Sequence, residues 1–394
     1  MSTTDVVFLS GARTAIGDFG GALKDVPPTA LGAHVAKAAI DRAGIEASDI
    51  GQTVMGNVIH TEPRDMYLSR VAAMEAGVPK ETPALTVNRL CGSGLQAIIS
   101  AAQMVKLGDA SFALAGGAEC MSRSGYLMPG ARWGQKMGNL GLVDMMVGAL
   151  SDPFGNGHMG ITAENISERY GVDRAAQDEA SLESHRRAAA AIAAGLFKEQ
   201  IVPFEIASRK GTVSFDTDEH VRADVTAADL AKLRAVFKKD GTVTAGNASG
   251  INDGAAAVVI ASGEAAKQRG LTPVARLVSY GLAGVDPSEM GMGPVPAVKT
   301  ALERAGLSVA DIDVIESNEA FAAQACAVSR ALGFDPAKVN PNGGAIALGH
   351  PVGATGAILT VKTIYELQRT GGRYGLITMC IGGGQGIAMV IERQ

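Results

Sequence analysis

The sequence predicts an α/β protein of two similar halves with an insertion between them. Three observations predict it. Short β-branched runs alternate with amphipathic helical segments toward both ends of the chain. One such unit occurs twice. The run Val35 to Ile45, followed by Asp49-Ile50, aligns without a gap to the run Ala297 to Leu307, followed by Asp311-Ile312. From about residue 121 to 250 the strand–helix rhythm is lost and charge rises. The boundaries expected are therefore 1–120 plus 251–272 for the first half, 121–250 for the insertion and 273–394 for the second half.

In chain order, Val6 to Leu9 reads as a strand and Leu31 to Ala43 as a helix ending at Gly44. Thr53 to Met55 and Asn57 to Ile59 read as strand around Gly56. The apolar run Pro83 to Val87 leads into Asn88-Arg89-Leu90-Cys91-Gly92-Ser93-Gly94, and Leu95 to Leu107 leads out as a helix. Ser111 to Ala115 is a buried strand ending at Gly116-Gly117. In the insertion, Arg174 to Ala194 is one long helix with Asp173 as its N-cap, and Glu183 and Arg187 stand four residues apart on it. Arg209-Lys210-Gly211 and Asp216 to Glu219 are loop-like, and most charges here belong to a solvated face. In the last third, Val87-Asn88 is echoed by Val339-Asn340, and Ala113 to Gly117 by Leu376 to Gly383. The alternation predicts a largely parallel sheet with helices on both faces.

Composition narrows the function classes. The chain has 394 residues and a formal net charge of -5, with no basic patch to suit nucleic acid. Aromatic residues are 4%, too few for a base-stacking surface, and the 50 glycines are dispersed rather than repetitive. Four cysteines, Cys91, Cys120, Cys326 and Cys380, form no C-x-x-C and have no His at metal-ligand spacing, so no metal is expected. Met1 to Asp5 carries no basic, apolar leader, and Glu392-Arg393-Gln394 is not a peroxisomal address. No apolar run approaches the roughly 20 residues of a membrane span. A cytoplasmic enzyme is expected.

Several strand–helix junctions carry reactive residues, and equivalent junctions of a duplicated α/β protein tend to face one cleft. Cys91 lies at a helix mouth, where free N–H groups and the dipole favour a thiolate, so its pKa is expected to fall. An inert buried cysteine is the plainer alternative. His350 sits in the glycine-rich run Gly343 to Gly356, before the helix Ala357 to Gln368, where an imidazole can take a thiol proton. Cys380 ends the run Ile377-Thr378-Met379 and meets the glycine turn Gly382-Gly383-Gly384. No acid-bearing βαβ unit follows, so this turn is not a dinucleotide loop, and its N–H groups suit a developing oxyanion. Asn318, after Val314-Ile315, can hold a water or cap the next helix. Thr244 to Gly254 is a small-residue turn past which a slender ligand or an interdomain crossing fits. Gly157 to Asn165 reads as a turn into a helix.

Together Asn88 to Gly94, Asn318-Glu319-Ala320-Phe321, Gly349-His350-Pro351 and Cys380 to Gly384 stand in thiolase order. The chain resembles the thiolase family along its length, most of all the bacterial acetyl-CoA acetyltransferases and the broad-range β-ketothiolases of polyhydroxyalkanoate synthesis. The resemblance implies the thiolase fold, two duplicated halves of βαβαβαββ type layered α/β/α/β/α with an inserted loop domain, in a homotetramer. It implies condensation of two acyl-CoA to a 3-ketoacyl-CoA and the reverse thiolysis, with CoA as substrate rather than cofactor. Carried over, Cys91 is the acylated nucleophile, His350 its base and Cys380 the acid/base at the α-carbon. Asn318 holds a water at the thioester oxygen, and the Cys91 and Gly382 N–H groups bind the acyl-enzyme oxygen. Leu150, His158, Met159, Arg222, Phe237, Ala245, Ala248 and Ser249 hold CoA, while Met290, Ala320 and Phe321 close the acyl pocket.

Thr61 to Tyr67 departs from the Gly- and Gln-rich segment of acetoacetyl-CoA thiolases, and Ser151 to Asn156 departs next to the acyl pocket; both argue against strict acetyl specificity and leave room for slightly longer chains such as 3-ketovaleryl-CoA. Cys120 replaces a usual Ser and is assigned no role. A decarboxylating ketoacyl synthase pairs its nucleophile with His-His or His-Asn, and Cys380 argues against it. A catalytically dead lipid carrier is expected to lack Cys91 or His350, and both are present.

Overall fold

The computed structural model describes residues 5–208 and 211–394. The leader reading of Met1 to Thr4 and the loop reading of Arg209 and Lys210 lie outside the described residues. The first half runs β1 (Val6–Arg13), α1 (Pro28–Ala43), β2 (Gln52–Gly56), α2 (Leu68–Glu75), β3 (Ala84–Val87), α3 (Ser93–Leu107) and β4 (Phe112–Cys120). The middle segment carries α4 (Met159–Tyr170), α5 (Arg174–Ala193) and a hairpin of Phe204–Ser208 with Gly211–Phe215. Then follow β5 (Asn252–Ser262), β6 (Ala275–Gly284), α6 (Pro294–Ala305), β7 (Val314–Ser317), α7 (Ala322–Leu332), α8 (Thr355–Thr370), β8 (Tyr374–Ile381) and β9 (Gln385–Arg393).

The strands pair in the order β7-β8-β9-β6-β1-β5-β4-β2-β3. The duplication is visible in it. On one side β3-β2-β4-β5-β1 follow one another. On the other, β7-β8-β9-β6 repeat the order, and a parallel bridge from Ile315 to Val339 stands where β3 would be. The two copies meet at β1 and β6 through two antiparallel residue pairs, Val7 with Arg276 and Phe8 with Ala275. The sheet is mixed, not largely parallel. β2 is parallel to β3 and β4, and β7 to β8, whereas β1, β5, β6 and β9 all pair antiparallel. Strand–helix alternation implies parallel neighbours only where a helix returns the chain. β8 to β9 is a hairpin, and β5 enters from the insertion.

The helices of the duplicated unit share their ends. α1 and α6 each have Pro at the first turn and stop at a left-handed glycine, Gly44 (φ 66°) and Gly306 (φ 65°). α3 and α8 pack on each other between the two half-sheets, α1 lies against β1 and β5, and α6 against β6 and β9. That is the α/β/α/β/α layering. α8 is buried on nearly every side, which is how a helix in the middle layer of such a protein must be. Its Lys362 is buried against Glu316 of β7 at 2.7 Å and donates to the Gly343 carbonyl at 2.8 Å.

Other expectations are refined. Val58 and Ile59 leave the sheet and turn their N–H groups to Glu119, while the Asn57 N–H still donates to the Val87 carbonyl at 3.2 Å. β4 runs through Gly116-Gly117 to Cys120 instead of ending there. Glycine suits those positions because a Cβ on Gly116 would stand 2.2 Å from the Ala256 carbonyl of β5. α5 begins where Asp173 caps Ala176, and Glu183 bonds both Arg187 and Arg186 at 2.6 Å.

Candidate active site

Cys91 stands between β3 and α3 on a strained turn. Leu90 has a left-handed backbone, φ 45°. The Arg89 N–H donates to Ser93 Oγ at 2.8 Å, and that hydroxyl donates to the Leu90 carbonyl at 2.7 Å, which locks the bend. The helix N-cap is Gly92, where a Cβ would meet Ile381 Cδ1 at 2.5 Å. Cys91, His350, Cys380 and Gly382 line one cavity of about 450 Å³. Their order in the chain places the first in one half and the other three in the second.

The expected fall in the Cys91 pKa does not occur. Burial pushes the thiol up to about 11, although the N–H groups of Gly382 and of Cys91 itself oppose the shift; the Glu119 carboxylate adds to it. Desolvation acts on the whole charge of a thiolate, whereas a helix end offers about half a charge, so desolvation wins. Burial raises the Cys380 thiol further still, with the neighbouring Cys91 sulfur as a second cause. Gly382 leaves no room for a side chain, since a Cβ would stand 2.7 Å from Met159 Cε.

His350 is 4% exposed and held from three sides. Its N–H donates to Asn252 Oδ1 at 2.9 Å. Its Nδ1 lies 2.7 Å from Thr355 Oγ1, and the Thr355 hydroxyl donates to the Pro351 carbonyl at 2.9 Å. The hydroxyl hydrogen is thus committed, so Nδ1 carries the ring proton and Nε2 is the free base. Burial pushes the imidazole down to about 4, so it is neutral at physiological pH.

Asn318 lies just past β7, behind the cavity wall. Its Nδ2 is 3.4 Å from His350 Nε2, and its buried Oδ1 has no hydrogen-bond partner among the described residues. The capping alternative fails, because α7 starts at Ala322 with Phe321 as N-cap.

The other residues named from the resemblance all line the same cavity. Leu150 follows a short helix, and its carbonyl accepts the Met159 N–H at 2.8 Å. His158 caps α4, its Nδ1 accepting from the Gly160 N–H at 3.1 Å, and its ring stacks on Phe237 at 4.7 Å. Phe237 meets Phe321 edge-on at 6.2 Å. Ala248 bridges Phe321, and the Ser249 N–H donates to the Ala320 carbonyl at 3.0 Å, so the turn before β5 is clamped to the Asn318 segment. Ala245 flanks this clamp, and Met290 is buried with Met159 and Cys380 in one apolar cluster. Arg222 donates its N–H to His185 Nδ1 at 3.2 Å. Sequence reasoning missed Met121, His220, Val236 and Val352, which also line the cavity. His220 and Val352 each stand two residues from a named one, in the same turns. Met121 and Val236 carried no signal.

Comparison with known proteins agrees with this geometry. Residues 6–264 match the family description "Thiolase, N-terminal domain" and residues 271–393 "Thiolase, C-terminal domain". The chain is 67% identical to a beta-ketothiolase, BktB, of Cupriavidus necator over 99% of this chain and 100% of that one. It is 51% identical to an acetyl-CoA acetyltransferase of the same organism, over 99% of this chain and 100% of the relative. Among solved structures, human mitochondrial 3-ketoacyl-CoA thiolase superposes with a TM-score of 0.97 at 45% identity, covering 100% of this chain and 99% of that one. Family models that match residues 6–264 and 271–393, with relatives and a solved fold that match the chain over nearly all its length, place this chain in the thiolase family.

Proposed function

We propose that Cys91, His350 and Cys380 perform the acyl-CoA condensation and thiolysis of this enzyme, an acetyl-CoA C-acetyltransferase, in two half-reactions. One observation carries the assignment: two thiols from different halves share a cavity with an imidazole whose free nitrogen is Nε2. In the first half-reaction the Cys91 proton passes to His350 Nε2 and the sulfur attacks the thioester carbonyl. The carbonyl oxygen is received by the N–H groups of Cys91 and Gly382. The departing CoA sulfur takes its proton from Cys380, which leaves Cys380 as thiolate.

In the second half-reaction that thiolate removes an α-proton from a second acetyl-CoA. The enolate oxygen is held by the protonated imidazole and by a water on Asn318, a role its unpartnered Oδ1 supports. The enolate carbon attacks the acyl-cysteine. The Cys91–acyl bond breaks, and the freed sulfur takes back the proton from His350.

Segment 121–250 and the turn after it hold CoA through the stacked His158 and Phe237 and through Arg222. The names of the relatives support acetyl-CoA and 3-ketoacyl-CoA as substrates. Acceptance of slightly longer chains such as 3-ketovaleryl-CoA rests on the departures at Thr61 to Tyr67 and Ser151 to Asn156. The exposed apolar residues Trp133, Met137 and Leu142 of that segment suit burial in a homotetramer. Four unpaired cysteines fit a cytoplasmic site, and the chemistry needs no cofactor beyond CoA. Among the described residues no helix is long and apolar enough to cross a membrane.

Two variants test the assignment. Cys91→Ala loses acyl transfer and carbon–carbon chemistry together. Cys380→Ala still yields an acetyl adduct on Cys91 by mass spectrometry, more slowly because CoA must leave as its thiolate, but fails to condense. Normal condensation by Cys380→Ala would remove its acid/base role.

A further inference from the structure

The base and the nucleophile belong to different halves, so something must hold the His350 loop in register with Cys91. We infer that Glu119 and Asn252, both on first-half strands, are the positioning residues that do so, an inference that rests on reading His350 as the base. Glu119 ends β4 and is wholly buried. Its carboxylate accepts four hydrogen bonds: from Asn57 Nδ2 at 3.0 Å, Val58 N–H at 3.0 Å, Ile59 N–H at 3.1 Å and Gly353 N–H at 2.9 Å. Three of these donors belong to the first half. The fourth lies three residues after His350.

At the other end of the loop, Asn252 Oδ1 accepts from the His350 N–H at 2.9 Å, while its Nδ2 donates to the Gly17 carbonyl at 3.0 Å. The loop is therefore pinned at both ends to the half that carries the thiol. Between the pins it is nested in glycine. A Cβ would stand 2.1 Å from the Gly353 carbonyl oxygen if placed on Gly117, 2.8 Å on Gly56 and 3.1 Å on Gly94. A Cβ on Gly353 itself would meet Glu119 Oε2 at 2.4 Å. The close approach fixes distance, and the two polar side chains fix orientation.

All four hydrogens on Glu119 are donated to it, so a neutral side chain there must surrender part of the set. In Glu119→Gln the amide group faces donors instead of accepting from them. A shift of the imidazole by about 1 Å is expected to lower turnover by roughly 100-fold. Burial raises the Glu119 carboxyl to about 8 against the N–H groups of Ile59, Val58 and Gly353, so the negative charge that opposes a thiolate at Cys91, and that the substitution removes, is fully present only above that pH.

The test is steady-state thiolysis of acetoacetyl-CoA, together with iodoacetamide labelling of Cys91 located by mass spectrometry. Expected for Glu119→Gln is a kcat lower by about 100-fold, a KM for CoA within about twofold, and Cys91 labelling at least as fast as in the parent. A general loss of structure moves the other way, raising KM and removing the protection of Cys91 by acetyl-CoA. Asn252→Ala acts on the opposite pin and is expected to give the same kcat-only loss; it decides the matter if Glu119→Gln is insoluble. Either soluble variant with kcat within twofold of the parent overturns the inference, as does a rise in KM that accounts for the loss. His350→Ala runs in parallel. If it keeps full activity, the reading of His350 as base fails, whatever Glu119 does.

Discussion

Burial pushes the Cys91 thiol up to about 11 and the His350 imidazole down to about 4. The free enzyme then holds a neutral thiol beside a neutral imidazole, not a thiolate–imidazolium pair, and the proton moves only as the acyl-CoA carbonyl arrives. The sign is simple for an acid that titrates at about 11. Its thiolate fraction is roughly 10⁻⁴ at pH 7 and rises about tenfold per pH unit.

The perturbation is pH, and the assay is the second-order rate of iodoacetamide labelling at Cys91 without substrate, resolved by peptide mass spectrometry from Cys120, Cys326 and Cys380. Between pH 7 and 9 the rate should climb about 100-fold without levelling, against about 25-fold and visible levelling for an ordinary thiol near 8.5. His350→Ala should keep that slope, because the imidazole does not ionise the resting thiol. A rate already flat above pH 7, or a step near 6 that vanishes in His350→Ala, would show a preformed ion pair and refute the reasoning.

Further expectations rest on single contacts. A Cβ on Gly160 would sit 2.3 Å from the Phe237 ring that stacks on His158. Gly160→Ala should therefore raise the KM for CoA by about tenfold, the low end of an overpacking penalty, while leaving Cys91 labelling unchanged. Lys362→Met strands the buried Glu316 carboxylate, and should cost about 1.4 kcal/mol in urea denaturation at pH 7, rising toward about 3–5 kcal/mol at alkaline pH. Glu316 is already raised by burial from 4.5 to about 6 with its lysine in place. A group raised on folding is harmless below its unfolded value and costs stability as pH climbs through the folded one, so the variant should approach the parent near pH 4 and diverge above pH 6.

Local reading of the sequence reached the residues that share the cavity because they sit at junctions that glycine marks. Gly92 and Gly94 around Cys91, Gly349 before His350, and Gly382 after Cys380 each leave a trace at the residue itself. Non-local facts left no such trace. Val58 and Ile59 are β-branched and suit a strand, but the Glu119 carboxylate, some sixty residues on, takes their N–H groups first. Gly116-Gly117 looked like a strand end, yet β4 continues because neighbouring backbones need the space. The thiol pKa was misjudged for a related reason. A helix mouth is visible in five residues, whereas desolvation depends on everything the fold brings around the sulfur. Strand direction was also hidden, since the hairpin β8–β9 and the late arrival of β5 depend on which distant segments pair.

The seam between β1 and β6 is only two residue pairs wide. Little backbone pairing therefore prevents one ancestral copy from sliding on the other, and the registration falls to side chains and bare glycines in the middle layer. Damage there can silence turnover while both copies stay intact, so an inactive variant of this enzyme can look healthy by every measure of stability.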